Sequence, residues 1–139
     1  MRAAPERFTT SEPLWLMRDE RLDSLAETVI RQTLESLPES VRQAAKSCVI
    51  EAVFMADCLA CGEEMEDDLL GLFEGCSLLD GEPASAEQLP RIRLFLDNLW
   101  DYAEGNLSVF KDEVRVTLLH ELGHFLGYDE DEVEVRGLG

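Results

Sequence analysis

The sequence predicts an α+β domain, with helices at the two ends of the chain and strands between them. Three observations carry that expectation: an apolar repeat at spacings of three and four near the start, short β-branched or alternating segments in the middle, and a second helical repeat close to the end. A chain of 139 residues is the size of one ordinary domain with one core. The expected organisation is a polar arm over residues 1–12 and a single domain over residues 13–139.

The arm contains Pro5 and shows no periodicity. Leu22, Leu25, Val29, Ile30 and Leu34 then mark one face of a helix running to about Ser36, which Pro38 interrupts. A short second helix, ESVRQAAKS, leads into CVIEAVFM (48–55), whose β-branched and aromatic content reads as a buried strand. Residues 56–68 read as a loop, and LLGLFEG (69–75) as a second strand closed by glycine. The turn formers of DGEPASAEQLP (80–90) predict an exposed connection. RIRLFL (91–96) alternates arginine with apolar residues, which predicts a strand whose arginines face water. The last helix is expected to start at Asn106 or Ser108, either of which can cap it, and to present Phe110, Val114, Leu118 and Leu119 to the core. Gly127 is placed to end it in a left-handed conformation.

Thirty acidic residues against twelve basic ones give a formal charge of −18, which disfavours nucleic acid and anionic membranes as partners. The acid is concentrated in EEMEDD (63–68) and DEDEVE (129–134), runs that in isolation read as solvated segments. No apolar run approaches the roughly 20 residues that span a bilayer, and the first residues have no apolar stretch of the kind an export signal needs. The expected location is cytoplasmic, where the four cysteines at 48, 58, 61 and 76 would be reduced thiols. CLAC (58–61) has the separation of half a zinc ribbon or of a redox pair, but no second close pair accompanies it and it lacks the strand-to-helix context of a thioredoxin-like site, so these thiols read as buried or incidental.

The chemistry is concentrated in HELGHFLGYDED, residues 120–131, which holds both histidines of the chain. On a helix, positions i and i+4 share a face, so His120 and His124 can aim their rings at one point, where zinc at about 2.0–2.1 Å from each nitrogen would fit. Glu121 projects beside that point, where a carboxylate can take a proton from a metal-activated water. The competing interpretation is a structural histidine pair satisfied by backbone carbonyls or water. Zinc also needs a third protein ligand, and a chain turning back at Gly127 offers Asp129, Glu130, Asp131 and Glu132.

HELGHFLGYDE resembles the HExxHxxGxx(H/D) signature of metzincin-type metallopeptidases, with an acidic third position as in the snapalysin-like variant. The order ESLPESV, LLGLFEG, LPRIRLFLDN and EVRVTLLHELGHFLGYDEDE is similar, over roughly residues 20 to 135, to a small bacterial family of minimal zincin-like metallopeptidases. The resemblance implies a compact zincin-like core, with a small mixed β-sheet packed against an N-terminal helix and a C-terminal helix carrying the HExxH motif. It implies His120 and His124 as zinc ligands, Glu121 as catalytic base, and Glu130, ten residues after His120, as third ligand. Against larger metzincins, no methionine turn is expected between the motif and Gly139.

The expected activity is zinc-dependent hydrolysis of peptide bonds in a peptide or protein substrate. A zinc-dependent endoribonuclease is an alternative, because GYD at 127–129 also resembles the HGxLHLxGYDH motif of ribosomal-RNA-processing enzymes. That motif has glycine where Glu121 stands and histidine where Glu130 stands. A non-catalytic, metal-stabilised binding module is a third reading, and it has no need of a base at position 121.

Overall fold

The structure, a computed structural model, describes residues 14–127 other than 82, 86 and 87, with side chains from residue 21 onward. The elements run α1 (Leu14–Glu35), α2 (Glu39–Ala45), β1 (Val49–Val53), α3 (Met55–Ala60), β2 (Gly71–Glu74), a 3-10 turn (Leu78–Asp80), β3 (Arg91–Phe95), α4 (Leu96–Tyr102) and α5 (Leu107–Phe125). The expected α+β class, with a small mixed sheet packed against an N-terminal and a C-terminal helix, is what the chain forms. The arm expected over residues 1–12 lies outside the described residues. Among the described residues no helix is long and apolar enough to cross a membrane.

The three strands lie in the order β1-β3-β2, with β3 in the middle. β1 runs parallel to β3, from Val49 opposite Arg91 to Val53 opposite Phe95, whereas β2 runs antiparallel, with Gly71 opposite Leu94 and Glu74 opposite Arg91. A parallel pair needs a long crossover, and here it contains α3, β2 and the connection to β3.

Alternation along β3 divides the protein into two layers. Ile92 and Leu94 point into the main core, where they meet Leu22 and Ala26 of α1 and Phe110, Val114, Leu118, Leu122 and Phe125 of α5. Each fully buried apolar side chain there contributes roughly 1.5–3 kcal/mol relative to exposure. Phe95 joins the other face, with Met55 and Cys58 of α3 and the partly buried Val53, Met65, Leu69 and Leu72.

That second layer corrects two expectations. Residues 55–60 form a helix where the end of a strand at 55 and a loop from 56 were expected, and its first turn is capped from a distance: Asp97 accepts from Met55 N–H at 2.8 Å and from Ala56 N–H at 3.0 Å. Phe54, at the local cap position, makes no side-chain cap, so the neighbouring sequence carries no start signal. The second correction concerns the arginines of β3. Arg93 is 4% exposed, because α3 and the segment after it cover that face. Its guanidinium donates through Nε to Glu74 Oε1 at 2.9 Å and through Nη1 to Glu63 at 2.9 and 3.1 Å. Only Arg91 is half-exposed as expected, and it too donates to Glu74, at 3.0 Å. Burial opposes the charge on Arg93, but the two carboxylates outweigh it and raise its pKa further.

Candidate functional site

Helix α5 places the histidines. It starts at Asn106, whose side-chain oxygen accepts from Val109 N–H at 3.1 Å, one of the two caps the sequence offered. Phe110, Val114, Thr117, Leu118, Leu122 and Phe125 then fall on its buried side, and that stripe fixes the rotation of the helix about its axis. His120, Glu121 and His124 consequently lie half-buried in its last turns. The helix closes through Leu126 N–H to Leu122 O at 2.9 Å and Gly127 N–H to His124 O at 3.0 Å. Gly127 has φ +94°, the left-handed conformation its position predicted, and a Cβ there would run into the side chain of Leu79.

The two imidazoles converge. Nε2 of His124 stands 3.2 Å from Nε2 of His120, with ring centroids 4.8 Å apart and ring planes at 81°. Two ligands of one tetrahedral zinc, each about 2.05 Å from the metal, would have nitrogens roughly 3.3 Å apart, so the pair fits that ion. The same separation accommodates a hydrogen bond between one protonated and one unprotonated Nε2, which is how the metal-free pair can be satisfied. The last turn of a helix carries partial negative charge from its terminal carbonyls, and the chain as a whole is at −18, so both fields favour a cation here.

Strand β2 forms one wall of this region. Its first residue, Gly71, lies against Thr117 and Glu121 of α5, and the ring of Phe73 packs 6.0 Å from that of Phe125. Beyond the strand, Leu79 in the 3-10 turn reaches Gly127 at the helix end. The strand therefore follows α5 from Thr117 to Phe125.

Of the residues expected at the site, the structure brings His120, Glu121 and His124 together at one end of one helix. Glu130, expected as third ligand, and its alternatives Asp129, Asp131 and Glu132 lie outside the described residues. Among the described residues, no group of three or more His, Cys, Asp or Glu side chains is placed to hold a metal ion. Cys58 and Cys61 belong to α3 and its end, in the layer across the sheet from α5. Burial raises the Cys58 thiol, with the charge of Glu63 adding to it against Arg93, and burial pushes Cys48 up to about 11. Neither is a ready thiolate. A concavity of about 600 Å³ between α1 and β1, lined by Ile30, Leu34, Ile50 and Val53 among others, includes no residue of α5. It is separate from the histidines.

Sequence reasoning missed Gly71 and Thr117 as neighbours of the motif. A glycine inside a strand pattern is a known sign of close backbone approach, and LLGLFEG contained that sign.

Comparison with known proteins bears on the same region. A search of curated proteins gave no match. The family model described as zincin-like metallopeptidase matches residues 47–138, from just before β1 to beyond the end of α5. That span is well over half of the chain and contains all three strands and both histidines. The chain belongs to the zincin-like metallopeptidase family.

Proposed function

We propose that this protein is a zinc-dependent peptidase in which His120, His124 and Glu130 hold the metal and Glu121 is the general base. The observation that carries the proposal is the 3.2 Å separation of the two Nε2 atoms on a helix that also bears Glu121 beside them. Zinc held there supplies Lewis-acid chemistry, polarising a carbonyl and making water more acidic.

The chain's own part in the reaction is proton transfer. Successive helical residues are about 100° apart around the axis, so the Glu121 carboxylate flanks the histidine pair instead of competing for the point where the rings converge. From there Glu121 takes a proton from the attacking water as the water oxygen bonds to the carbonyl carbon. It then delivers a proton to the leaving nitrogen as the C–N bond breaks. The sum is one peptide bond hydrolysed by one water. A structural histidine pair, or a metal serving only to stabilise the fold, gives Glu121 no such work.

Glu121→Gln tests this directly. The amide is nearly isosteric but cannot accept the proton, so the variant is expected to keep its fold and its zinc and to lose cleavage of labelled casein and of a peptide library. A variant that retains zinc and cleaves as fast as the parent shows that Glu121 is not the base.

A further inference from the structure

Almost no space separates the start of β2 from the helix that carries the base. A Cβ added to Gly71 would stand 2.5 Å from Thr117 Cγ2, 3.3 Å from Glu121 Cγ and 3.4 Å from Arg93 O. The first separation is one that real side chains do not adopt, and the second is tight. The bare α-carbon of Gly71 is thus the surface on which the Thr117 methyl and the Glu121 methylene rest. Gly71 is not among the glycines with positive φ, so the requirement here is for space and not for an unusual backbone conformation.

Neither side of this contact can easily give way. Thr117 is 7% exposed and β-branched, and its χ1 is restricted on a helix. Gly71 is paired with Leu94 on the central strand, and two residues later Phe73 is packed on Phe125. Glu121 lies one helical turn beyond Thr117, on the same face. Any displacement of β2 or of Thr117 therefore reaches Glu121.

We infer that Gly71 is a positioning residue for the Glu121 carboxylate: by having no side chain, it lets β2 lie directly on the Thr117–Glu121 stretch of α5 and fixes where the base stands relative to the two histidines. This rests on the reading of Glu121 as general base. The role assigned to Gly71 is exerted through Glu121.

The test uses the full-length, zinc-loaded protein with labelled casein. Gly71→Ala is expected to retain zinc and to lower kcat by roughly tenfold to a hundredfold, the scale of a displacement of about 1 Å in a catalytic group, with little change in KM. Adding Thr117→Ser, which removes Cγ2, restores most of the lost turnover, whereas Thr117→Val, which keeps a methyl in that place, does not. By NMR, a contact between the α-protons of Gly71 and the γ-protons of Glu121 is present in the parent, weakened in Gly71→Ala and regained in the serine double variant. A Gly71→Ala protein as fast as the parent, or a serine double variant no faster than the valine one, overturns the inference. Should Gly71→Ala not fold, the decision passes to the other two measurements: absence of the NMR contact in the parent, or a folded, zinc-loaded serine double variant that does not cleave, overturns it equally. A zinc-loaded parent that cleaves nothing overturns the peptidase proposal and this inference with it, whereas a cleaving parent unaffected by Gly71→Ala overturns this inference alone.

Discussion

Nε2 of His120 and Nε2 of His124 stand 3.2 Å apart on the last turns of α5, the separation expected of two nitrogens sharing one tetrahedral ion. Protein purified without a histidine tag is expected to carry about one equivalent of zinc. Either His120→Ala or His124→Ala should abolish that content in elemental analysis. Acid should loosen the metal as well, because imidazole must give up its proton to ligate. Protein that contains no transition metal and takes up none at neutral pH leaves the pair as a structural feature of the helix.

The third ligand can be located by chelator titration of alanine variants at Asp129, Glu130 and Asp131. Loss of the ligand itself should weaken zinc binding by orders of magnitude, whereas loss of a neighbour removes only screened, long-range charge. Glu130→Ala is expected to be the weak binder. An outcome in which Asp131→Ala loses the metal and Glu130→Ala keeps it moves the assignment by one residue.

Replacing Cys58 and Cys61 together with serine should leave zinc content unchanged, since both lie across the sheet from the histidines. Alkylation of the native protein should label the exposed Cys61 well before Cys48 and Cys58, which are buried and whose thiols are held above their ordinary range. Mass spectrometry of partially labelled protein reads the order. Rapid labelling of Cys58 would mean that α3 does not cover the sheet as described.

Hydrogen bonding to Arg93 holds the Glu63 carboxyl below its usual range. A carboxyl whose folded pKa is depressed adds stability above its unfolded value, and that stability is lost as pH falls through the folded value. Glu63→Gln should therefore be less stable than the parent at neutral pH in urea unfolding. The difference should close as the solution is acidified past about pH 4. A gap that persists unchanged in acid rules out the charge of Glu63 as its source.

Asp97→Ala should cost about 0.5–2 kcal/mol, the usual loss for a removed helix cap, because two N–H groups of α3 lose their acceptor. Zinc binding should be unaffected. Urea denaturation with chelator titration on the same sample separates the two effects.

What could be read from the sequence follows from the range of the interactions involved. α1 and α5 were legible because their apolar residues recur with the helical period, and β1, β2 and β3 because short β-branched or alternating segments stand between turn formers. α3 was not legible because its cap is supplied by Asp97, some forty residues away in sequence. α4 was missed because it continues directly from β3, with Phe95 as its cap residue and no turn former between them. Alternation correctly placed Arg93 on the face opposite Ile92 and Leu94, but periodicity does not say what covers a face. Only the fold brings Glu63 and Glu74 to that guanidinium. At the candidate site, the convergence of His120 and His124 was readable from spacing alone. The fit of Gly71 against Glu121 depends on how close a strand approaches a helix, which spacing does not encode.

The parallel pairing of β1 with β3 also constrains how the molecule comes into being. Among the described residues β1 pairs with β3 alone, and β3 opens at residue 91, after α3, β2 and the whole intervening connection. During synthesis the β1–β3 ladder must wait until that segment has emerged. Closing so long a loop before any sheet contact is gained is the slow kind of step in folding. The waiting chain exposes VIEAV, an apolar segment interrupted only by Glu51, and that single charge is its internal guard against pairing with other chains.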